Sequence, residues 1–290
     1  MNIGIILDAP APARISPIIA EMIGLLEEWG VSVKQLSPST VLADLAQLRV
    51  DCDLYVFKKS SSKLALSLGG ALHAIGARML NPYPVTAMLR DKIIASRVLQ
   101  AHDVPTPDVY IVNSLMQLKP LLAAGPLVVK PYDGSQGRGV RVVENCAEFR
   151  EAALSDGLIF AQRYHRPQGR DYKIYCIGDQ FFGVRRVWPA TTYAEKLGEP
   201  FTLTPEMRQI ALRCGQAFGI TLFGIDIVYS DGRPYVVDMS SFPGFKGVPN
   251  AALRLADYIY AVAKQAVHPP ANRPVDAVPS GAFTPEVKYG

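Results

Sequence analysis

Apolar residues fall into short blocks along the first third of the chain. Residues 3–7 read as a buried strand, and residues 16–29 then place Ile18, Ile19, Met22, Ile23, Leu25, Leu26 and Trp29 at helical spacing up to Gly30. Residues 31–36 alternate as a second strand and 53–57 form a third. Strand, helix and strand in that order predict a parallel α/β unit, assigned to residues 1–86.

Asn81-Pro82-Tyr83-Pro84 breaks the pattern, and 86–102 resumes as a helix with Arg90, Asp91 and Lys92 near its start. Strands are expected at 108–112, 127–130, 140–143 and 158–161, within a central unit of residues 87–165. In the last third, 172–177 and 181–187 read as a hairpin around Gly178-Asp179. Thr204 then caps a helix with Pro205 in its first turn; Met207, Ile210, Ala211, Cys214, Ala217 and Phe218 line one face, and Gly219 ends it. Strands at 223–229 and 235–239 flank the turn Ser230-Asp231-Gly232-Arg233, and a helix over 252–266 completes a unit of residues 166–267. Residues 268–290 are rich in Pro, Ala and Val without periodicity and are expected to be a loose tail.

Three groups of polar residues stand out against these elements. The first is Lys130-Pro131-Tyr132-Asp133-Gly134-Ser135-Gln136-Gly137-Arg138-Gly139, a lysine at a strand end followed by a glycine-rich return. Such a loop lets backbone amides approach a polyphosphate while the lysine adds a point charge, although a plain hairpin has the same appearance. It is neither a P-loop nor a dinucleotide fingerprint, because no Gly-Lys-Ser/Thr ends it and no helix follows. The second is Asp226 within Ile-Asp-Ile and Asp238 within Val-Val-Asp-Met, on adjacent strands. Acids in strands this apolar are costly unless paired, so they either bind a hard cation together or form structural salt bridges. The third is Asp171-Tyr172-Lys173 with Arg185-Arg186 across the hairpin, either a solvated face or the charge needed opposite a metal in phosphoryl transfer.

Composition narrows the reading. Of 290 residues 49% are hydrophobic, enough for two or three cores, and the net charge of +4 is scattered rather than gathered in a stripe. No nucleic-acid partner is therefore expected. No apolar run reaches the roughly 18 residues of a membrane span, and the first residues lack the basic start of a signal peptide. Cys52, Cys146, Cys176 and Cys214 have no metal-ligand spacing and read as reduced, mostly buried thiols of a cytoplasmic protein. Of the four histidines, His165 follows the expected hinge and is either a ligand contact or a surface residue.

The order Arg90-Asp91-Lys92, Lys130, glycine-rich loop, Gln162-Arg163-Tyr164, Asp171-Tyr172-Lys173, Arg186, Asp226 and Asp238-Met239-Ser240-Ser241-Phe242-Pro243-Gly244 resembles the ATP-grasp superfamily over residues 81–265. It is similar both to RimK-like carboxylate–amine ligases and to inositol trisphosphate 5/6-kinases. The resemblance implies an α/β fold with an α+β lid: a parallel N-terminal domain, a small central lid and a C-terminal mixed-sheet domain. It also implies ATP with Mg²⁺, or Mn²⁺ in its place. Lys92 and Lys130 then grip the α- and β-phosphates, and Gly134, Ser135, Gln136, Gly137 and Gly139 close over them. Gln162, Arg163 and Tyr164 meet adenine at the hinge, largely through backbone, with Asp171 a ribose or hinge partner. Lys173 and Arg186 face the γ-phosphate, and Asp226, Asp238 and Ser240 hold the metal.

Two departures matter. Ser240 stands where the family's last metal motif has Asn, and residues 188–200 lack the Arg-x-Asn segment of the peptide-forming relatives. Tyr-Lys-Ile-Tyr, Phe-Gly-Ile-Asp and Phe-Pro-Gly-Phe-Lys-Gly lean toward the kinases, with Lys246 a contact for an anionic substrate or a solvated lysine; Gly-Ser-Gln-Gly-Arg-Gly-Val leans toward the ligases. The first expectation is a ligase that activates a small-molecule carboxylate as an acyl phosphate for attack by an amine. The alternatives are a kinase acting on a phosphorylated polyol and a nucleotide-binding protein without catalysis. Association with further copies of the chain stays open.

Overall fold

The computed structural model describes residues 1–7, 15–38, 44–58, 62–132, 139–149, 158–187 and 192–267. The N-terminal unit is a parallel sheet of β1 (Asn2–Ile6), β2 (Ser32–Leu36), β3 (Leu54–Phe57) and β4 (Met79–Leu80) in the order β2-β1-β3-β4. Helices cover both of its faces, which is why β1 and β3 are apolar without alternation. Ile3, Ile5, Leu54 and Val56 pack against α1 (Pro17–Glu28), whose Ile19, Met22, Ile23 and Leu26 form one stripe. Ile6, Tyr55 and Phe57 face the other way onto α2 (Lys63–Ala74), started by the Ser62 hydroxyl, which accepts from Ala65 N. The sequence pattern did not mark α2, since its Ala, Leu and Gly residues give little contrast between faces.

The expected single helix over 86–102 is two: α3 (Tyr83–Arg90) and α4 (Lys92–Ala101). Asp91 separates them. Its backbone is extended, and its Oδ1 accepts from Ile93 N and Ile94 N, so it restarts the helix as an N-cap. Leu89, Ala95, Leu99 and Val104 join the core under the C-terminal sheet, not that of the central sheet.

The central sheet comprises β5 (Val109–Val112), β6 (Leu127–Pro131), β7 (Arg141–Val143) and β8 (Ile159–Arg163), antiparallel in the order β5-β8-β6-β7. One face carries a small separate core of Leu118, Leu127, Val129, Val143, Phe149 and Ala161. The C-terminal sheet contains β9 (Arg170–Ile177), β10 (Gln180–Val187), β11 (Glu199–Phe201), β12 (Leu222–Ser230) and β13 (Arg233–Ser240), ordered β11-β10-β9-β12-β13. It was expected to be mixed; among the described residues every pairing is antiparallel, because tight turns join β9 to β10 and β12 to β13. α5 (Tyr193–Leu197) precedes β11, and α6 (Pro205–Phe218) is capped at Thr204 as its sequence indicates. α7 (Ala251–Val267) packs into the core that the N-terminal and C-terminal sheets share. No helix among the described residues is long and apolar enough to cross a membrane.

The N-terminal and C-terminal sheets share one core, with Ile3, Ile5 and α1 on one side and Tyr175, Ile177, Val184 and Leu222 on the other. Asn81 fastens the join. It is 2% exposed and donates from Nδ2 to Leu222 O at 2.7 Å and Ser241 O at 2.6 Å. Asn81→Ala removes both bonds at a dry junction, and a loss of about 2–4 kcal/mol is expected. A urea midpoint equal to that of the native protein would show the junction to be indifferent to them.

Candidate active site

Strand parity builds the site. On β9, Tyr175 and Ile177 point into the shared core, so Asp171 and Lys173 point to the same side further along, where the packing opens. Val184 and Leu222 fix the same side for Arg186 on β10 and Asp226 on β12. Cross-strand register then sets Arg186 opposite Asp171, and Asp226 opposite Lys173. Lys173 Nζ lies 2.5 Å from Asp226 Oδ1; Arg186 Nη2 pairs with Asp171 Oδ2 and is also 3.9 Å from Asp226 Oδ1.

Asp238 reaches this face only because β13 is irregular. Ile227 pairs with Val236 but Asp226 pairs with Asp238, leaving Val237 as an extra residue. Val236 and Met239 both enter the core beneath the sheet, so the bulge reverses the alternation between them. Without it Asp238 would share the inward side of Val236. Bulges commonly re-aim a side chain at such places. The sequence carries a trace of this one, since two adjacent valines interrupt the alternation.

Two carboxylates directly opposed on neighbouring strands repel each other. Although the residue is open to solvent in part, desolvation by the groups around it and then the Asp226 charge push the Asp238 carboxyl above the usual carboxylate range, against the pull of Lys130, Lys173 and Lys92. Burial opposes the charge on Lys173, but Asp226 and its other neighbours outweigh burial and hold the ammonium above its ordinary value. Burial dominates at Lys130 and lowers its pKa, with Asp238 and Asp226 acting the other way.

The central sheet supplies the opposite wall. Lys130, at the end of β6, donates to Gln162 Oε1 at 2.5 Å and to the bulge carbonyl, Val237 O, at 3.5 Å. Gln162 is 4% exposed and so acts as a fixed support for this lysine. Lys92 Nζ donates to Tyr132 O at 2.9 Å, and the Tyr132 hydroxyl bonds Asp91 Oδ2. Tyr132, at the base of the glycine-rich segment, is thus held twice at the start of α4; the sequence reading gave it no role. The Arg163 side chain is spent on carbonyls beside its own sheet, at Gly125 (2.5 Å) and Leu121 (3.1 Å), and its backbone N donates to Asp108 O at 2.9 Å. Tyr164 N bonds Pro126 O, and His165 stacks on Tyr235 with centroids 3.6 Å apart. Gly139 stands at the turn into β7, whereas Gly134, Ser135, Gln136 and Gly137 lie outside the described residues.

The far wall is formed by α5 and the loop after β13. Gly198 (φ +66°) and Gly247 (φ +78°) let them close: a Cβ at Gly198 would stand 2.6 Å from both Arg185 O and Arg186 Cγ, and one at Gly247 would strike Leu197 O. Ser240 follows Asp238 on the same side of β13, opposite Gly224. Gly198 therefore packs against Arg186 from a stretch whose sequence lacks the Arg-x-Asn of the peptide-forming relatives.

Asp226 and Asp238 suit a hard cation. Asp226 Oδ1 is buried and, despite its ion pair, has no aligned hydrogen-bond donor among the described residues. No group of three or more His, Cys, Asp or Glu side chains gathers among those residues, so the shell of such an ion would be completed by ligand oxygens and water.

The family model of the RimK-like ATP-grasp domain matches residues 89–259, more than half of the chain, and spans every residue of this site. The chain belongs to the RimK-like ATP-grasp family. It is 28% identical over 215 residues to the alpha-aminoadipate–LysW ligase LysX of Saccharolobus solfataricus, covering 68% of this chain and 77% of that one. It is 31% identical over 183 residues to a probable alpha-L-glutamate ligase 2 of Shewanella amazonensis, covering 57% and 60%. Among solved structures, D-cycloserine synthetase DcsG superposes with a TM-score of 0.73 over 92% of this chain and 100% of its own, at 17% identity. The RimK domain protein of Sphaerobacter thermophilus gives 0.70 over 90% and 100%, at 16%. At such identity these two establish the shared fold. The protein is thus a RimK-like ATP-grasp ligase, and the relatives it matches are named ligases rather than kinases.

The raised Asp238 pKa has a consequence for this ligase. Between the ordinary carboxylate value, about 3.9, and the raised one, the native state binds more protons than the unfolded state, so this group's contribution to stability falls as pH rises. In metal-free buffer at pH 8, Asp238→Asn is expected to unfold at a higher urea concentration than the native protein. The gain should vanish below about pH 4, where both forms are neutral. An unchanged or lower midpoint at pH 8 would contradict the raised Asp238 carboxyl.

Proposed function

We propose that this ligase couples a substrate carboxylate to the amine of an amino acid or peptide at the expense of ATP. The observation that carries the reading is the convergence of Asp226 and Asp238 with Lys173 and Arg186, facing Lys130 across the cleft. A carboxylate oxygen attacks the γ-phosphorus and ADP leaves; the amine then attacks the acyl carbon of the acyl phosphate, losing a proton as phosphate departs. The chain's part is orientation and charge neutralisation. Lys130, steadied by Gln162, and Lys92, at the head of α4, hold the α- and β-phosphates. Lys173 and Arg186 take the γ-phosphoryl oxygens as charge develops on them. Asp226 and Asp238 would hold Mg²⁺, which would supply charge neutralisation at the transferred group, with Ser240 a weaker oxygen donor than the amide of the usual Asn. Adenine lies at the hinge against the backbone of Arg163 and Tyr164.

The names of the relatives, aminoadipate and glutamate ligases, support an acidic amino acid as one substrate. A cavity of about 210 Å³ beside Tyr132, lined by Lys63, Leu66, Ala87, Arg90 and Asp91, offers cations suited to such a carboxylate.

Phosphate release measured over paired pools of carboxylates and amino acids tests the reading. Free phosphate is expected only when both partners are present. A phosphorylated product from one acceptor with no free phosphate would mean a kinase, and ATP binding without turnover would mean a binding protein. Lys130→Ala should weaken ATP binding about tenfold or more, measured by calorimetry, because phosphate charge is left uncompensated in a partly dry cleft.

A further inference from the structure

We propose that Asp171 is a positioning residue that holds Arg186 away from Asp226 and so keeps Asp226 available to a cation. The proposal rests on the reading of Asp226 as a metal ligand. It differs from the ribose or hinge role that the resemblance implies for Asp171.

The geometry is that of one guanidinium between two carboxylates. Asp171 stands on the adjacent strand β9 and Asp226 one strand further on β12, and the same nitrogen of Arg186, Nη2, reaches toward both. It is paired with Asp171 and stands 3.9 Å from Asp226 Oδ1, the limit of an ion pair. Asp171 is 7% exposed, and no side chain other than Arg186 hydrogen-bonds it among the described residues. A carboxylate this enclosed is well placed to hold a guanidinium and poorly placed to meet a sugar. Gly198 packs on Arg186 Cγ and confines the stem, so the head group has only a short arc to travel. At one end of that arc is Asp171, at the other Asp226.

Arg186 Nε is also buried without a hydrogen-bond acceptor among the described residues. While Asp171 holds Nη2, that donor stays open to an anionic oxygen. If the Asp171 charge is removed, the nearest remaining anion for the guanidinium is Asp226. The arginine would then neutralise the oxygen that a cation needs, and the two would compete for it. Lys173 already occupies one side of Asp226 at 2.5 Å, so a second protein cation there would leave little attraction for a metal.

The test uses Mn²⁺ as a spin probe. Its binding to the full-length protein with a non-hydrolysable ATP analogue is measured by electron paramagnetic resonance, which does not depend on turnover or on knowing the acceptor. Asp171→Asn should weaken Mn²⁺ binding about tenfold. In an Arg186→Gln background the same substitution should change it less than about threefold, because the competitor is gone. A mere loss of negative charge near the metal would weaken binding equally in both backgrounds, and that outcome overturns the proposal. So does an Asp171→Asn variant that binds Mn²⁺ as tightly as the native protein. Asp171→Ser provides the same comparison if Asp171→Asn does not fold. Asp226→Asn separates the two levels of inference: Mn²⁺ binding unaffected by it would remove the metal site itself, and the proposal with it. Weakened binding there, with equal Asp171 effects in both backgrounds, would leave the site standing and refute only the role of Asp171.

Discussion

Two carboxylates placed opposite each other on neighbouring strands are the constraint around which the site is arranged. Unit charges about 5 Å apart repel by roughly 3 kcal/mol at an effective dielectric near 20. Asp226 and Asp238 are held in this relation by the register of β12 and β13, and the bulge at Val237 imposes it. Cations come from three separate places: Lys173 on the same sheet, Lys130 on the central sheet and Lys92 on α4. Together they do not bring the Asp238 carboxyl back to its ordinary range, from which desolvation and then the Asp226 charge raise it. A site strained in this way gains more from a bound cation than an already neutralised one would.

The same constraint explains the division of labour between the sheets. The N-terminal and C-terminal sheets share a continuous apolar core, and Asn81 pins them at its edge. The central sheet has a core of its own, made only of its strands and the segments beside them. Near the site it meets the body through polar contacts: Lys130 with Val237 O, Lys92 with Tyr132 O, and Tyr132 with Asp91. Contacts of this kind exchange readily with ligand oxygens or water, whereas an apolar core does not. The wall that carries Lys130 is therefore joined to the wall that carries the carboxylates by bonds that water or a ligand's oxygens can replace.

Family membership follows from the ordered motifs, but the roles of individual residues follow from their partners. Gln162 and Arg163 are neighbours on β8 with opposite duties: one supports Lys130, the other ties its own sheet together. Alternation along the strand sends them to different faces. A hinge motif read as a unit cannot show that difference.

By itself the sequence determined most of the local structure. Each of the strands β1, β3, β6, β9, β10, β12 and β13 is visible as an apolar or alternating run, and α6 announces both ends through Thr204, Pro205 and Gly219. It also showed which charges are out of place, because Asp226 and Asp238 sit in runs too apolar to carry them idly. Those signals are local, and strand or helix periodicity suffices to read them. What tertiary structure decided is pairing. The pairing of β9 with β12, the packing of Gly198 on Arg186 and the capture of Arg186 by Asp171 all depend on which strands and segments meet. The bulge shows the limit most plainly. Two adjacent valines hint at a fault in the alternation, but only the register against β12 makes Val237 the extra residue and turns Asp238 toward Asp226.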